Sequence, residues 1–159
     1  MKKPLTPGEA LNKAAAYCTL CERCESEVSA KLTTWGVPHG EQEKIIARLT
    51  NEKFIDEARY CRAFVNDKVK FNRWGRIKIT AALREKHLPQ EHIKEALEEI
   101  DEEIYLQSLQ ETIEIKRREL KDKDDFATQQ KIIRHAASRG YEPALIIKTI
   151  KYQGDEMDF

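Results

Sequence analysis

Nowhere in this chain do apolar residues run on for the ~20 positions needed to span a bilayer, and no secretory signal is visible at the N-terminus. The four cysteines, Cys18, Cys21, Cys24 and Cys61, are therefore expected to be thiols of a reducing cytoplasm rather than a disulfide framework. Also missing are a glycine-rich phosphate loop, a GxSxG elbow and an HExxH pair. His39, His87, His92 and His135 have no carboxylate or nucleophile at motif spacing. No enzyme and no cofactor is expected. Lys and Arg number 28 and Asp and Glu 28, so bulk charge makes no case for nucleic acid. No stretch alternates long enough for a strand, because β-branched residues fall at helical spacing.

What remains is a 159-residue chain that is 35% charged, a composition that suits an elongated all-α protein with much surface per residue. Thr6 caps a helix over about 8–22 with Pro7 at its first position, and Ala10, Ala14, Ala15 and Ala16 with Leu11 and Leu20 suggest close packing against a neighbour. Helices follow over about 25–35, ended by Gly36, and 40–51. Asp56 reads as the N-cap of a long amphipathic helix with Ala58, Cys61, Phe64, Val65 and Val69 inward. If that helix reaches Arg73, then Arg62, Asn66, Lys70 and Arg73 form one polar rail. Trp74-Gly75-Arg76 breaks the run, and a further helix with Ile79, Ala82 and Leu83 inward ends at Leu88-Pro89. Then come helices near 90–100, 101–121 (Ile104, Leu106, Leu109, Ile113 and Leu120 inward), 125–139 and 143–151 (Ile146, Ile147 and Ile150 inward). The lead-in MKKPLTP and the tail GDEMDF read as loose ends.

A repeat organises these elements into three sets of three. Leu83, Leu88, Ile93 and Leu97 step by five, five and four, as do Ala136, Tyr141, Ile146 and Ile150. Leu32, Val37, Ile45 and Leu49 give a copy with three extra residues. The expected units are 1–55, 56–100 and 101–159, stacked as tandem three-helix, helix-turn-helix-like repeats.

Charge is segregated along this array. Residues 62–86 hold eight Lys or Arg against two acids, 89–114 one Lys against nine acids, and 116–139 eight against four. The first basic set is Arg62, Lys68, Lys70, Arg73, Arg76, Lys78 and Arg84, with Phe71 and Trp74 among them. Guanidinium forks suit carboxylates and phosphates, and an exposed aromatic beside them can anchor a partner. Alternatively the aromatics plug a gap between repeats and the charges are merely solvated. A second patch, Lys116, Arg117, Arg118, Lys121, Arg134 and Arg139, either binds a partner or offsets the negative end of a helix dipole. The acidic run 98–103 reads as a solvated helix terminus rather than a cation site.

The stretch from Leu49 to Pro89 resembles the RecX family of regulatory proteins. The resemblance is carried by Leu49, Phe54-Ile55-Asp56-Glu57, Arg59-Tyr60, Phe64-Val65, Trp74-Gly75-Arg76-Ile77-Lys78-Ile79 and Ala82-Leu83-Arg84-Glu85-Lys86. It covers about residues 8–100 and weakens beyond. The chain departs from the family at His87-Leu88, where Gly-Ile is usual. The resemblance implies three tri-helical repeats and a non-enzymatic, cytoplasmic protein. It further implies binding to the RecA recombinase or its DNA filament, and inhibition of its ATPase, strand-exchange and co-protease activities. That places it in DNA repair, recombination and the SOS response. The basic residues around Trp74 would meet acidic RecA surface or DNA phosphate. A monomer is expected.

Two other readings stand beside this one. A helix-turn-helix module would bind DNA weakly and with salt sensitivity; balanced charge and the few Arg, Asn or Gln on the short helices speak against it. A metal on Cys18, Cys21 and Cys24 would need ligands paired on separate segments, whereas steps of three on one helix leave these thiols on a broad face toward the core.

Overall fold

Helix ends, more than helix middles, show how this sequence folds. The computed structural model describes residues 3–157, with side chains through Lys151. Among the described residues there are nine α-helices and no strand: α1 (Pro7–Leu20), α2 (Glu25–Thr34), α3 (His39–Asn51), α4 (Glu57–Lys70), α5 (Arg76–Glu85), α6 (Gln90–Glu98), α7 (Glu102–Glu119), α8 (Phe126–Ser138) and α9 (Pro143–Met157). The all-α, three-helix-repeat expectation is borne out. Met1 and Lys2 of the lead-in lie outside the described residues. The tail differs from the expectation, because α9 continues through Gly154 to Met157; Asp158 and Phe159 lie outside the described residues.

Helix starts are capped by short polar side chains. Thr6 accepts from Glu9 N, Asp56 Oδ1 from Arg59 N, Asp101 from Glu103 N and Ile104 N, and Asp125 from Thr128 N. Cys24 takes the cap position of α2, and Glu27 reaches back to Cys24 N at 3.2 Å.

Five helices stop in the same way, with a left-handed residue followed by an apolar or polar one whose N–H reaches back five positions. In the three repeat copies these bonds are Val37 N to Leu32 O, Leu88 N to Leu83 O and Tyr141 N to Ala136 O, at 3.0, 3.2 and 3.3 Å. The left-handed residues are Gly36, His87 and Gly140, at φ +77°, +63° and +94°. Thus the five-residue step of the repeat is the span of one helix-terminating hydrogen bond, and the apolar residue it delivers is buried each time. Lys53 and Lys121 close α3 and α7 alike, with Phe54 N to Leu49 O and Asp122 N to Arg117 O both at 2.9 Å.

The chain divides into two compact units. Among the described residues, the first takes those up to Ala63 with Leu83–Ala96, the second Phe64–Ala82 with those from Leu97 onward. In the first, Ala10, Ala14 and Cys18 of α1 pack with Val28 and Leu32 of α2, Val37, Ile45 and Leu49 of α3, and Ile55. Ala10 and Ala14 are buried as expected, Leu11 and Ala15 are half-buried, and Ala16 and, against the expectation of packing, Leu20 at the end of the helix are exposed. Buried Gln42 donates to Val37 O and Thr33 Oγ1 and accepts from Ser29 Oγ, so its amide is satisfied inside.

In the second unit the buried apolar residues are Val65, Val69 and Ile79, Tyr105, Leu109 and Ile113 of α7, Ile132 and Ala136 of α8, and Tyr141 and Ile146, with α7, α8 and α9 in mutual contact. Two helices are rotated from the expected phase. Ile104 and Leu106 of α7 are exposed and Leu120 is half-buried, while Tyr105, Ser108 and Thr112 are inside; in α9 Ile147 is exposed and Thr149 buried. The hydroxyls explain it. Ser108 donates to Val69 O at 3.1 Å and bonds the Tyr141 hydroxyl at 2.8 Å, and Thr112 and Thr149 donate to carbonyls one turn back, so polar residues are admitted to the core already paired.

The left-handed position at His87 costs an L-residue about 1–2 kcal/mol, which glycine's greater unfolded-state freedom only partly offsets. His87→Gly is therefore expected to raise stability by about 0.5–1 kcal/mol, seen as a higher urea midpoint at unchanged slope.

Candidate partner-binding surface

The elbow between α4 and α5, residues 71–75, is held by the turn between α8 and α9. Gly75 N donates to Arg139 O at 2.8 Å, and Ile77 N to Gly140 O at 3.0 Å. The Arg139 guanidinium donates in return to Asn72 O and Arg73 O. The two backbones lie so close that a Cβ on Gly75 would overlap the Gly140 carbonyl and Tyr141 N, and one on Gly140 would overlap Lys78. Ahead of Gly75 the backbone turns at Arg73, in the left-handed region at φ +51°, and Trp74 N closes back on Lys68 O at 3.0 Å.

This turn corrects the expected rail. The helix stops at Lys70, so Arg73 is not the next step after Arg62, Asn66 and Lys70. Its guanidinium instead pairs with Glu111 at 3.1 Å. Arg76 is more deeply committed. It bonds Glu142 at 3.0 Å, pairs with Glu102 and stacks over the Tyr105 ring at 4.0 Å, and its own backbone N–H donates to the Tyr105 hydroxyl, which donates to Glu142. Burial draws the Arg76 pKa down, but the Glu102 bond, the Tyr105 hydroxyl and Glu142 outweigh it and leave the group above its usual value. Burial and then Glu142 push the Tyr105 hydroxyl up, so it stays a donor. Part of the acidic run 98–103 is thus structural, since Asp101 caps α7 and Glu102 holds Arg76.

What the elbow presents outward is lysine and indole. Trp74 packs edge-on to Phe64, ring centroids 6.4 Å apart. Lys78 Nζ lies 4.4 Å and Lys68 Nζ 4.8 Å from the Trp74 ring centre, and Lys68 is also 5.3 Å from Phe64. Each such contact is worth about 0.5–1 kcal/mol near the surface. Lys70 is exposed, as is Phe71 at 77%. Arg62 and Arg84 are exposed in the first unit, where Arg84 donates to Gln90 Oε1 at 3.1 Å.

The second basic patch is more compensated. Lys116 pairs with Glu119, while Arg117 and Arg118 pair with Glu114. Lys121 and Arg134 are exposed, and Arg139 is spent on the elbow carbonyls. His135, half-buried beside Lys116 and Arg139, is held below its usual pKa, first by burial and then by those cations.

The cysteines do not share one helix face. Cys18 is buried, α1 ends at Leu20 leaving Cys21 exposed, and Cys24 is buried at the cap of α2. Burial lifts the Cys61 thiol to about 11. Among the described residues no group of three or more His, Cys, Asp or Glu is placed to hold a metal ion, and no helix is long and apolar enough to cross a membrane.

Residues 56–97 match the family model described as RecX, second three-helix domain, and residues 102–150 match RecX, third three-helix domain. The chain belongs to the RecX family. The second of these matches extends the likeness past residue 100, where a weaker one was expected. The regulatory protein RecX of Prosthecochloris aestuarii is 27% identical over 142 residues, 89% of this chain and 91% of that protein. That of Bacillus pumilus is 24% identical over 155 residues, 94% of this chain and 59% of that protein. The fold is shared with the crystal structure of a regulatory protein RecX (TM-score 0.79, 19% identity, 91% of this chain and 73% of that one). It is shared too with RecX from Lactobacillus salivarius (TM-score 0.81, 18% identity, 92% and 95%). Relatives named as regulatory proteins support a regulatory role for this RecX chain.

Gly75→Ala is expected to cost about 3 kcal/mol or more, because backbone stands where the methyl would go. Gly40→Ala, in the open first turn of α3, is expected to be neutral or to gain up to about 1 kcal/mol. Chemical denaturation of both separates crowding from propensity. For His135, the unfolded chain takes up a proton at a higher pH than the folded one. Its contribution is therefore complete above the ordinary histidine value and is lost as pH falls through the window below it. His135→Gln is expected to flatten stability against pH in that window.

Proposed function

We propose that this chain binds the RecA recombinase, free or assembled on DNA, and restrains its ATP hydrolysis, strand exchange and co-protease action. Family membership supports a regulator, and one observation supports the contact: Lys68 and Lys78 over the Trp74 indole, with Lys70 exposed beside them. Among the described residues none of these three lysines is paired with a carboxylate. Cations held in place by a ring, without an acidic partner of their own, suit acidic protein surface, and the indole supplies the apolar anchor. Arg73 and Arg76 play a different part. Their pairs with Glu111, Glu102 and Glu142 shape the elbow that carries the lysines.

The test measures RecA's DNA-dependent ATPase with this protein added below stoichiometric amounts. Lys68→Glu, Lys70→Glu, Lys78→Glu together are expected to raise the half-inhibiting concentration at least ~10-fold, about 1.4 kcal/mol, with unchanged helicity. Arg76→Glu is expected to lower stability instead, because it sets a third carboxylate against Glu102 and Glu142. Inhibition by the triple variant equal to the parent's would discard the elbow as the contact. Tight, steeply salt-dependent DNA binding without RecA would favour a DNA-binding module in its place.

A further inference from the structure

The first unit carries an aromatic pair built like the one at the elbow. Tyr17 of α1 and Trp35, the residue that ends α2, pack edge to face with centroids 6.3 Å apart. Lys13 Nζ lies 4.5 Å from the centre of the Trp35 ring, the Arg23 guanidinium 4.0 Å and Lys31 Nζ 5.5 Å from that of Tyr17. Both rings rest on the unit's core with one side and remain partly exposed. Duplication of the repeat does not account for the likeness. Leu32 and Leu83 are equivalent, yet Trp35 follows Leu32 by three residues whereas Trp74 precedes Leu83 by nine.

We propose that Lys13, Tyr17, Arg23, Lys31 and Trp35 form a second docking surface, which takes an acidic protein surface presenting carboxylates beside an apolar side chain. Charge is the first argument. Among the described residues none of the three cations forms an ion pair, and Glu22, beside Arg23, and Glu27, one turn before Lys31, are committed elsewhere, to Arg59 at 2.6 Å and to Lys86 at 3.4 Å. Arg23 Nε has no hydrogen-bond acceptor. An apolar contact is the second. Leu20 is 78% exposed, and Lys13, Tyr17 and Leu20 follow one another at steps of four and three on α1. Composition is the third, because Trp, Tyr and Arg together are the residues on which protein interfaces concentrate their energy. A nucleic acid fits less well. Cations lie over both rings where bases would stack, and three are few for a phosphate backbone.

The probe, RecA, rests on the function proposed above. Trp35 and Trp74 are the chain's two tryptophans, one in each cluster, so the full chain labelled with 5-fluorotryptophan gives one ¹⁹F resonance for each. Trp35→Phe and Trp74→Phe assign them. Added RecA is expected to move both resonances, and an oligothymidylate without RecA to leave Trp35 in place. Lys13→Glu with Lys31→Glu is expected to abolish the Trp35 response, keep that of Trp74 and weaken binding at least ~10-fold; Lys13→Gln with Lys31→Gln repeats the test if the reversed variant melts early. Trp74 moving while Trp35 stays would overturn this surface and leave the elbow standing. If neither moves, the RecA reading falls and this surface with it. A Trp35 response to oligothymidylate, to the protein's own concentration, or undiminished in both lysine variants would overturn the acidic-protein assignment.

Discussion

Backbone meets backbone at Gly75 and Gly140, and the second unit is arranged around that approach. Two peptide hydrogen bonds join the elbow to the turn between α8 and α9, and neither glycine has room for a methyl group. The approach also decides what neighbouring side chains do. Arg139 is drawn onto the carbonyls of Asn72 and Arg73, Arg76 is set between Glu102 and Glu142, and Tyr105 is turned to serve both Arg76 and Glu142. Of the elbow's cations, the arginines become structural through their carboxylates and carbonyls, while Lys68, Lys70 and Lys78 have no carboxylate partner among the described residues. An arginine inside a network is costly to remove, because its carboxylates are left behind unpaired. A lysine above a ring is not bound in that way.

The helical repeat was legible in the sequence because its period has a mechanical origin. A helix that ends by reaching back five residues fixes the distance from its last buried residue to the apolar residue after the turn, and that distance is written in Leu83-Leu88 and Ala136-Tyr141. The departure at His87 from the glycine usual in the family leaves the turn unchanged, since a left-handed histidine closes the same hydrogen bonds at some cost.

Other parts were not legible, for reasons that are local. Counting apolar residues placed Ile104, Leu106 and Ile147 inside, but Tyr105, Ser108 and Thr149 hold those faces because their hydroxyls find acceptors or donors within the fold. A period in hydrophobicity cannot register a hydroxyl that is satisfied by a partner tens of residues away, as in Tyr105 and Ser108, or by a carbonyl one turn back, as in Thr149. The basic residues around Trp74 were visible as a cluster, yet their division into bound arginines and unpaired lysines depends on Glu102, Glu111 and Glu142, which come from α7 and the turn that leads into α9. The pair of Tyr17 and Trp35 left no mark in a charge count, since its cations are spread over two helices and the segment between them.

The cysteines have a practical consequence. Cys18, Cys24 and Cys61 are enclosed, and burial holds each of these thiols above its ordinary pKa, whereas Cys21 stands in water just past the end of α1. Thiolate is the form that attacks a maleimide, so the natural chain already offers one preferred position for attaching a dye or spin label. That position is next to Leu20, at the rim of the Tyr17 cluster.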